Sequence, residues 1–287
     1  MTAPPSIPTS QRFDLRRTEV DDALDRVERS LQTQLEPEGS VRKRRSIGAR
    51  TARGTWVRIE LRGLERLDGQ GWGIEAAALL RGVSLPDWHS GVSWLDPERG
   101  AMWRVDETSL VHDSPVGRAA AALDLPDSWW TAFDDSLASL AGHSTTRMAT
   151  PDCEPITQER VSTAIDKVFP GEVDSTIEEW APAHADLNWS NLTSPKLWIL
   201  DWEDWGMAPR GLDAACLWSA SLAVPGIAER IHQTRLSDLE SRTGRIMALF
   251  YCAQRIALGE ENDPALERAK REALRLTTEL RNSAKPS

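Results

Sequence analysis

The sequence predicts an α+β fold, and three observations carry that expectation. Strand-forming segments gather in the stretch between Val41 and about Glu107; helical patterns fill most of the chain after about Thr108; and the helical run is interrupted once, at His184–Gly206. That interruption, HADLNWSNLTSPKLWILDWEDWG, packs an Asn-rich turn, an apolar run and two acidic clusters into a span too short to be a domain. A chain of 287 residues with 40% hydrophobic content is long enough for two modest lobes sharing a cleft, or for one large α/β domain, and supplies a core for either.

Taken in order, the first dozen residues are rich in Pro, Ser and Thr and read as a loose tail. Val20, Leu24, Val27, Leu31 and Leu35 recur at spacings of three and four, the period of one buried helical face, with Thr18 and Asp21 placed like a capping box. Between Val41 and Arg62 the strand formers Trp56, Val57 and Ile59 are bounded by Gly48, Gly54 and Gly63, which predicts two antiparallel strands joined by a glycine-bearing turn. GIEAAALLRG predicts a helix of two to three turns closed by Gly82, and AMWRVDE another strand. AAALDL, SWWTAFDDSLASLAG and TQERVSTAIDKVF are composed of good helix formers, as are GLDAACLWSASLA, GRIMALFYCAQRIALG and PALERAKREALRLTTELR. For the last of these, Asn262 or Asp263 is the expected cap, with Pro264 at the first helical position. LWIL reads as a four-residue strand, and no internal repeat is visible.

Composition narrows the function classes. A net charge of −10 argues against a general nucleic-acid binder, whose phosphate contacts are made mainly by Lys and Arg. Cys153, Cys216 and Cys252 are odd in number and contain no CxxC, so neither a disulfide framework nor a zinc site is expected, and a reducing cytoplasm is the expected home. MTAPPSIPTSQRF has no basic segment followed by an apolar one, and no apolar run approaches the ~18 residues of a membrane span.

Phosphoryl transfer asks a protein for positioning more than for covalent chemistry: a carboxylate to orient the acceptor hydroxyl, and oxygen ligands to hold metal ions against the nucleotide phosphates. Asp186, Asn191 and Asp201 are residues of those kinds, and Asp201 returns to the first two after the LTSPKLWIL hairpin. At these positions the sequence resembles the aminoglycoside phosphotransferase family, which shares the protein kinase fold and carries an H-x-D-x-x-x-x-N loop followed by an I-D-W-E-D-like metal loop. His184, Asp186 and Asn191 match the first element and Ile199–Asp204, ILDWED, the second. The resemblance implies Asp186 as catalytic base, Asn191 and Asp201 as magnesium ligands, and His184 as packing and hydrogen-bonding support of the loop. Asp213 in GLDAACLW falls where the family has an aspartate that braces the loop.

The resemblance therefore implies a two-lobed protein kinase-like fold. It would comprise an N-terminal tail and helix over 1–40, a small nucleotide-covering sheet lobe over 41–107, and a mainly helical C-lobe over 108–287. Kinase-like folds place a basic strand residue against the nucleotide phosphates and pair it with a helix glutamate. Here TWVRIE offers Arg58 and GIEAAALL offers Glu75, with Asp106 and Glu107 of MWRVDET as the expected hinge. VRKRRSIGARTARGT is a basic island suited to a phosphate-covering hairpin. The chain departs from the family in three places: Ala185 stands where Gly is usual, no G-x-G-x-x-G is present, and Arg58 replaces the phosphate lysine.

Thirteen tryptophans against four Phe and one Tyr are the odd feature of the composition. Trp202 and Trp205 flank Glu203 and Asp204, and Trp189 lies inside the catalytic loop, so aromatic faces and carboxylates gather where a cationic substrate could bind. The expected function is transfer of the terminal phosphate of ATP or GTP, with Mg²⁺, to a hydroxyl of a small alcohol or amino-alcohol, without a nucleic-acid or membrane partner. The alternative is a nucleotide-binding regulator of the same fold that has lost transfer.

Overall fold

The computed structural model describes residues 14–64, 72–151, 154–260 and 262–283. The N-terminal tail and Cys153 lie outside the described residues. The chain divides into two compact units: one formed by the chain up to Leu79 together with Pro86–His112, the other by Leu80–Leu85 and the chain from Asp113 onward.

The first unit is a five-stranded antiparallel sheet with helix α1 (Asp21–Leu31) against it. Strands β1 (Leu35–Arg42), β2 (Ser46–Thr51), β3 (Thr55–Gly63), β4 (Trp88–Asp96) and β5 (Ala101–Ser109) are ordered β1-β2-β3-β5-β4. Alternation decides which side is dry. Val57, Ile59 and Leu61 of β3 and Trp103 and Val105 of β5 project to one face and join Val20, Ala23, Val27 and Leu31 in a single core. Full burial of such side chains is worth roughly 1.5–3 kcal/mol each, which fixes the register Ile59↔Val105 and Leu61↔Trp103. The β2–β3 turn closes at Gly54, whose φ of +76° suits a residue without Cβ.

Several local expectations are corrected here. Thr18 does not cap α1: its hydroxyl donates to the Asp14 carbonyl at 2.9 Å, and Val20 takes the N-cap position without a side-chain bond. Leu35 lies beyond the helix, at the start of β1. That strand and β4 escape the sequence patterns because both are edge strands; β1 carries Pro37 and Gly39 and is mostly exposed. The helix α2 (Gly73–Ala77) is far shorter than GIEAAALLRG promised; residues 78–79 form a turn in place of a further helical turn.

The second unit is mainly helical. After the two-residue strand β6 (Ser114–Pro115) come α3 (Asp127–Ala141) and α4 (Gln158–Asp166), and AAALDL forms a 3-10 turn in place of a helix. Strands β7 (Trp180–Ala183), β8 (Thr193–Ser194) and β9 (Gly206–Pro209) follow, then α5 (Leu212–Ala220), α6 (Pro225–Thr234), α7 (Leu236–Leu239), α8 (Arg242–Leu258) and α9 (Leu266–Ser283). Helix α5 buries residues around most of its circumference, as a core helix does, and α9 turns Ala269, Ala273, Leu276 and Leu280 inward. LWIL is not a strand. It makes one bridge, Leu192↔Ile199, while β8 pairs with β6. Pro264 precedes α9; Asp263 caps the approach by accepting from the Ala265 amide at 2.9 Å. No helix among the described residues is long and apolar enough to cross a membrane.

Candidate active site

The pairing of β7 with β9 sets Ala183 opposite Gly206, so the two ends of the 184–205 loop leave the ribbon side by side. The loop is therefore closed at its neck. Asp213, in the first turn of α5, accepts from the His184 amide at 2.7 Å and from the Ala185 amide at 2.9 Å. Burial pushes its carboxyl above the ordinary range, while His184 and the two main-chain donors oppose that rise. One buried carboxylate thus fixes two consecutive amides at the start of the loop.

His184 is fully buried; its Nε2 lies 2.9 Å from the Leu200 carbonyl, and its ring meets Trp202 edge to face at 4.7 Å. It thereby links the start of the loop to the Leu200–Trp202 segment. Ala185 has a φ of +72°, the left-handed region, where the absence of glycine puts strain on the loop.

Asp186 follows directly. Its Oδ2 accepts from Asn191 Nδ2 at 3.0 Å and its Oδ1 from Asn188 Nδ2 at 3.1 Å, while both amides also reach its carbonyl. The Asn191 amide nitrogen is thus committed to Asp186. The Asn191 carbonyl accepts from Leu200 N–H at 2.8 Å, which brings the neighbouring Asp201 alongside. Burial raises the Asp186 carboxyl above its usual range; His184 and Asn188 hold it down, Asp201 adds to the rise, and Asn191 opposes it. Asp201 itself has a φ of +70°, a conformation that Asp tolerates better than most residues.

No group of three or more His, Cys, Asp or Glu side chains that could hold a metal ion occurs among the described residues. Asn191 and Asp201 fit a cation that keeps waters and phosphate oxygens in its shell, which is the habit of Mg²⁺, and do not fit one that needs a full protein cage.

The remaining sequence-predicted residues divide. Trp189, Trp202 and Trp205 are core, 4%, 1% and 4% exposed, which corrects the expectation of a substrate-facing aromatic cluster. Trp189 donates to Ser221 Oγ at 2.9 Å and Trp202 to the Ile199 carbonyl at 2.7 Å. Asp204 accepts from Thr150 Oγ1 at 3.1 Å, and Glu203 is half-buried beside it.

In the other unit, Arg58 lies in β3 opposite Gly48 and Asp106. Glu75 was expected to pair with Arg58; its carboxylate lies 3.0 Å from Arg104, a residue the sequence reading passed over. Arg104 also donates to both oxygens of Asp106 and stacks 5.1 Å from the Trp72 ring centroid. Asp106 and Glu107 are in the interior of β5, paired on both sides, and are not a hinge; as strand neighbours they face opposite ways. Although burial pushes it up, Glu107 is held below the usual carboxylate range by Thr55, Ser90 and Arg53. The last of these bonds takes one arginine out of the basic island. The pairing of Arg104 with Asp106 was open to discovery from sequence, because residues two apart on a strand share a face.

No family model and no curated protein matches the sequence. Solved structures do. The choline kinase LicA from Streptococcus pneumoniae is 14% identical with a TM-score of 0.55, over 90% of this chain and 99% of that one. The amicoumacin kinase hAmiN, in complex with AMP-PNP, Ca²⁺ and Ami, is 9% identical with a TM-score of 0.51, over 94% and 95%. The GDP complex of wild-type aminoglycoside 2'-phosphotransferase-IIIa is 14% identical with a TM-score of 0.54, over 91% and 99%. The chain has a protein kinase-like fold, a five-stranded antiparallel N-terminal sheet followed by a helical part. Its structural neighbours are choline kinase-like proteins and aminoglycoside phosphotransferases.

Proposed function

We propose that this chain is a small-molecule kinase, transferring the terminal phosphate of ATP or GTP to a hydroxyl of a small alcohol or amino-alcohol. The observation that carries the proposal is the arrangement at Asp186. Its carboxylate is held by Asn188 and Asn191, shifted upward in pKa by burial, and set beside Asp201. A carboxylate so fixed orients an acceptor hydroxyl and takes its proton as the phosphate arrives, and a raised pKa makes it the better acceptor of that proton. Asn191 Oδ1 and Asp201 would hold Mg²⁺, which when bound neutralises charge on the nucleotide phosphates. Arg58, on a β-strand as in kinase-like sites, is proposed for phosphate contact, and Glu75 with Arg104 for fixing α2.

The structural neighbours supply the substrate classes to try first, choline and aminoglycosides, because they include a choline kinase and an aminoglycoside phosphotransferase. The test is a screen of such alcohols for nucleotide turnover, run beside Asp186→Asn. Loss of the base is expected to cut turnover by about 10²–10⁴-fold and leave nucleotide binding near normal. Equal kcat in the two proteins would remove Asp186 as the base.

A further inference from the structure

The segment that carries Asp201 is gripped from outside the loop. Arg147, buried and upstream of α4, donates from Nε to the Trp205 carbonyl at 3.2 Å and from an Nη to the Glu203 carbonyl at 3.4 Å. Its guanidinium lies 5.6 Å from the Trp205 ring centroid. The main chain of the same segment joins in. Met207 N–H donates to the Arg147 carbonyl at 2.7 Å, Ala149 N–H to the Met207 carbonyl at 3.0 Å, and Thr150 N–H to the Asp204 carbonyl at 3.0 Å. Thr150 Oγ1 adds its bond to the Asp204 carboxylate.

The contact is too close for a side chain. A Cβ on Gly206 would come within 2.5 Å of the Met148 carbonyl carbon, 2.6 Å of the Ala149 nitrogen and 2.8 Å of the Arg147 oxygen, all backbone. Two backbones therefore meet without an intervening layer, and a planar guanidinium spans two carbonyls that a lysine, as a point donor, cannot span in the same way.

We infer that Arg147, with Thr150, is a positioning residue that sets the place of Asp201 by clamping the Glu203–Met207 segment just downstream of it. This rests on the proposed function, in which Asp201 holds the metal. The left-handed backbone at Asp201 is consistent with a loop whose course is dictated by what holds it on the far side. Fixing a ligand through such an outer contact typically matters by 10–100-fold in metal affinity.

The experiment measures Mn²⁺ binding to the full chain in the presence of AMP-PNP, by the paramagnetic signal of the free ion. Amide exchange over 203–207 and AMP-PNP binding without metal are measured in parallel. Arg147→Lys is expected to weaken Mn²⁺ binding by about 10-fold or more, to speed exchange at the Asp204–Met207 amides, and to leave metal-free AMP-PNP binding unchanged. Thr150→Val, which keeps shape and removes the hydroxyl, is expected to move both readings the same way by a smaller factor, and decides the matter should Arg147→Lys not fold. Faster exchange with unchanged Mn²⁺ affinity would make the clamp structural only and overturn the inference, as would no change in either. Asp201→Ala separates the two levels. If it binds Mn²⁺ as tightly as the parent, the metal assignment fails and the inference with it; if it binds weakly while Arg147→Lys and Thr150→Val bind normally, the inference alone fails.

Discussion

Ala185 offers a quantitative test of the catalytic loop, because a residue with a side chain occupies a conformation that glycine takes freely. The perturbation is Ala185→Gly. Three contributions set its size. The unfolded chain gains freedom, which costs about 0.5–1 kcal/mol; a buried methyl is lost, about 0.8 kcal/mol; and relief of the left-handed conformation at φ +72° returns about 1–2 kcal/mol. The sum lies within about 1 kcal/mol of zero. The Ala185 amide still donates to Asp213, so the brace survives.

The control is Ala215→Gly in α5, equally buried and helical, where nothing is relieved; helix propensity and the lost methyl together cost about 2 kcal/mol. Urea unfolding of the two variants should show Ala185→Gly to be the milder by at least about 1 kcal/mol, with similar slopes. Equal losses in the two proteins would refute the reading of strain at Ala185.

Two further outcomes follow from the corrected residues. Glu107→Gln should destabilise by about 1–3 kcal/mol, since the buried carboxylate accepts from Thr55, Ser90 and Arg53. Its pKa is lowered by those bonds, so the contribution is present above the ordinary carboxylate range and is lost as pH falls through the folded-state value. Denaturation of parent and variant at neutral and acid pH measures this, and a gap that widens on acidification would contradict it. Trp189→Phe, which removes the donor to Ser221, should cost about 1–2 kcal/mol of stability and leave the KM of any acceptor unchanged. A raised KM with intact stability would return Trp189 to the substrate site.

Much was legible in the sequence because it is local. Periodicity in Val20–Leu31 is a property of one helix face, alternation in Trp56–Ile59 of one strand, and both survive into the structure as the two sides of one core. The spacing of His184, Asp186, Asn191, Asp201 and Asp213 also belongs to the sequence, since a short loop constrains which side chains meet. Where information was spread over partners distant in the chain, the reading failed. Edge strands β1 and β4 have one or both faces wet and so carry little apolar alternation, and the three tryptophans near the loop look the same in sequence whether they face solvent or core.

What the sequence determined by itself, then, was the fold class and the residues of the loop, because short-range geometry and the pattern of apolar side chains are written residue by residue. What only the tertiary structure decided was who holds whom. Glu75 goes to Arg104, Glu107 to Arg53, and the segment after Asp201 to Arg147. Each of these pairs joins segments far apart in the chain, and a guanidinium finds its carboxylate or carbonyl only after the core has fixed the distance between them.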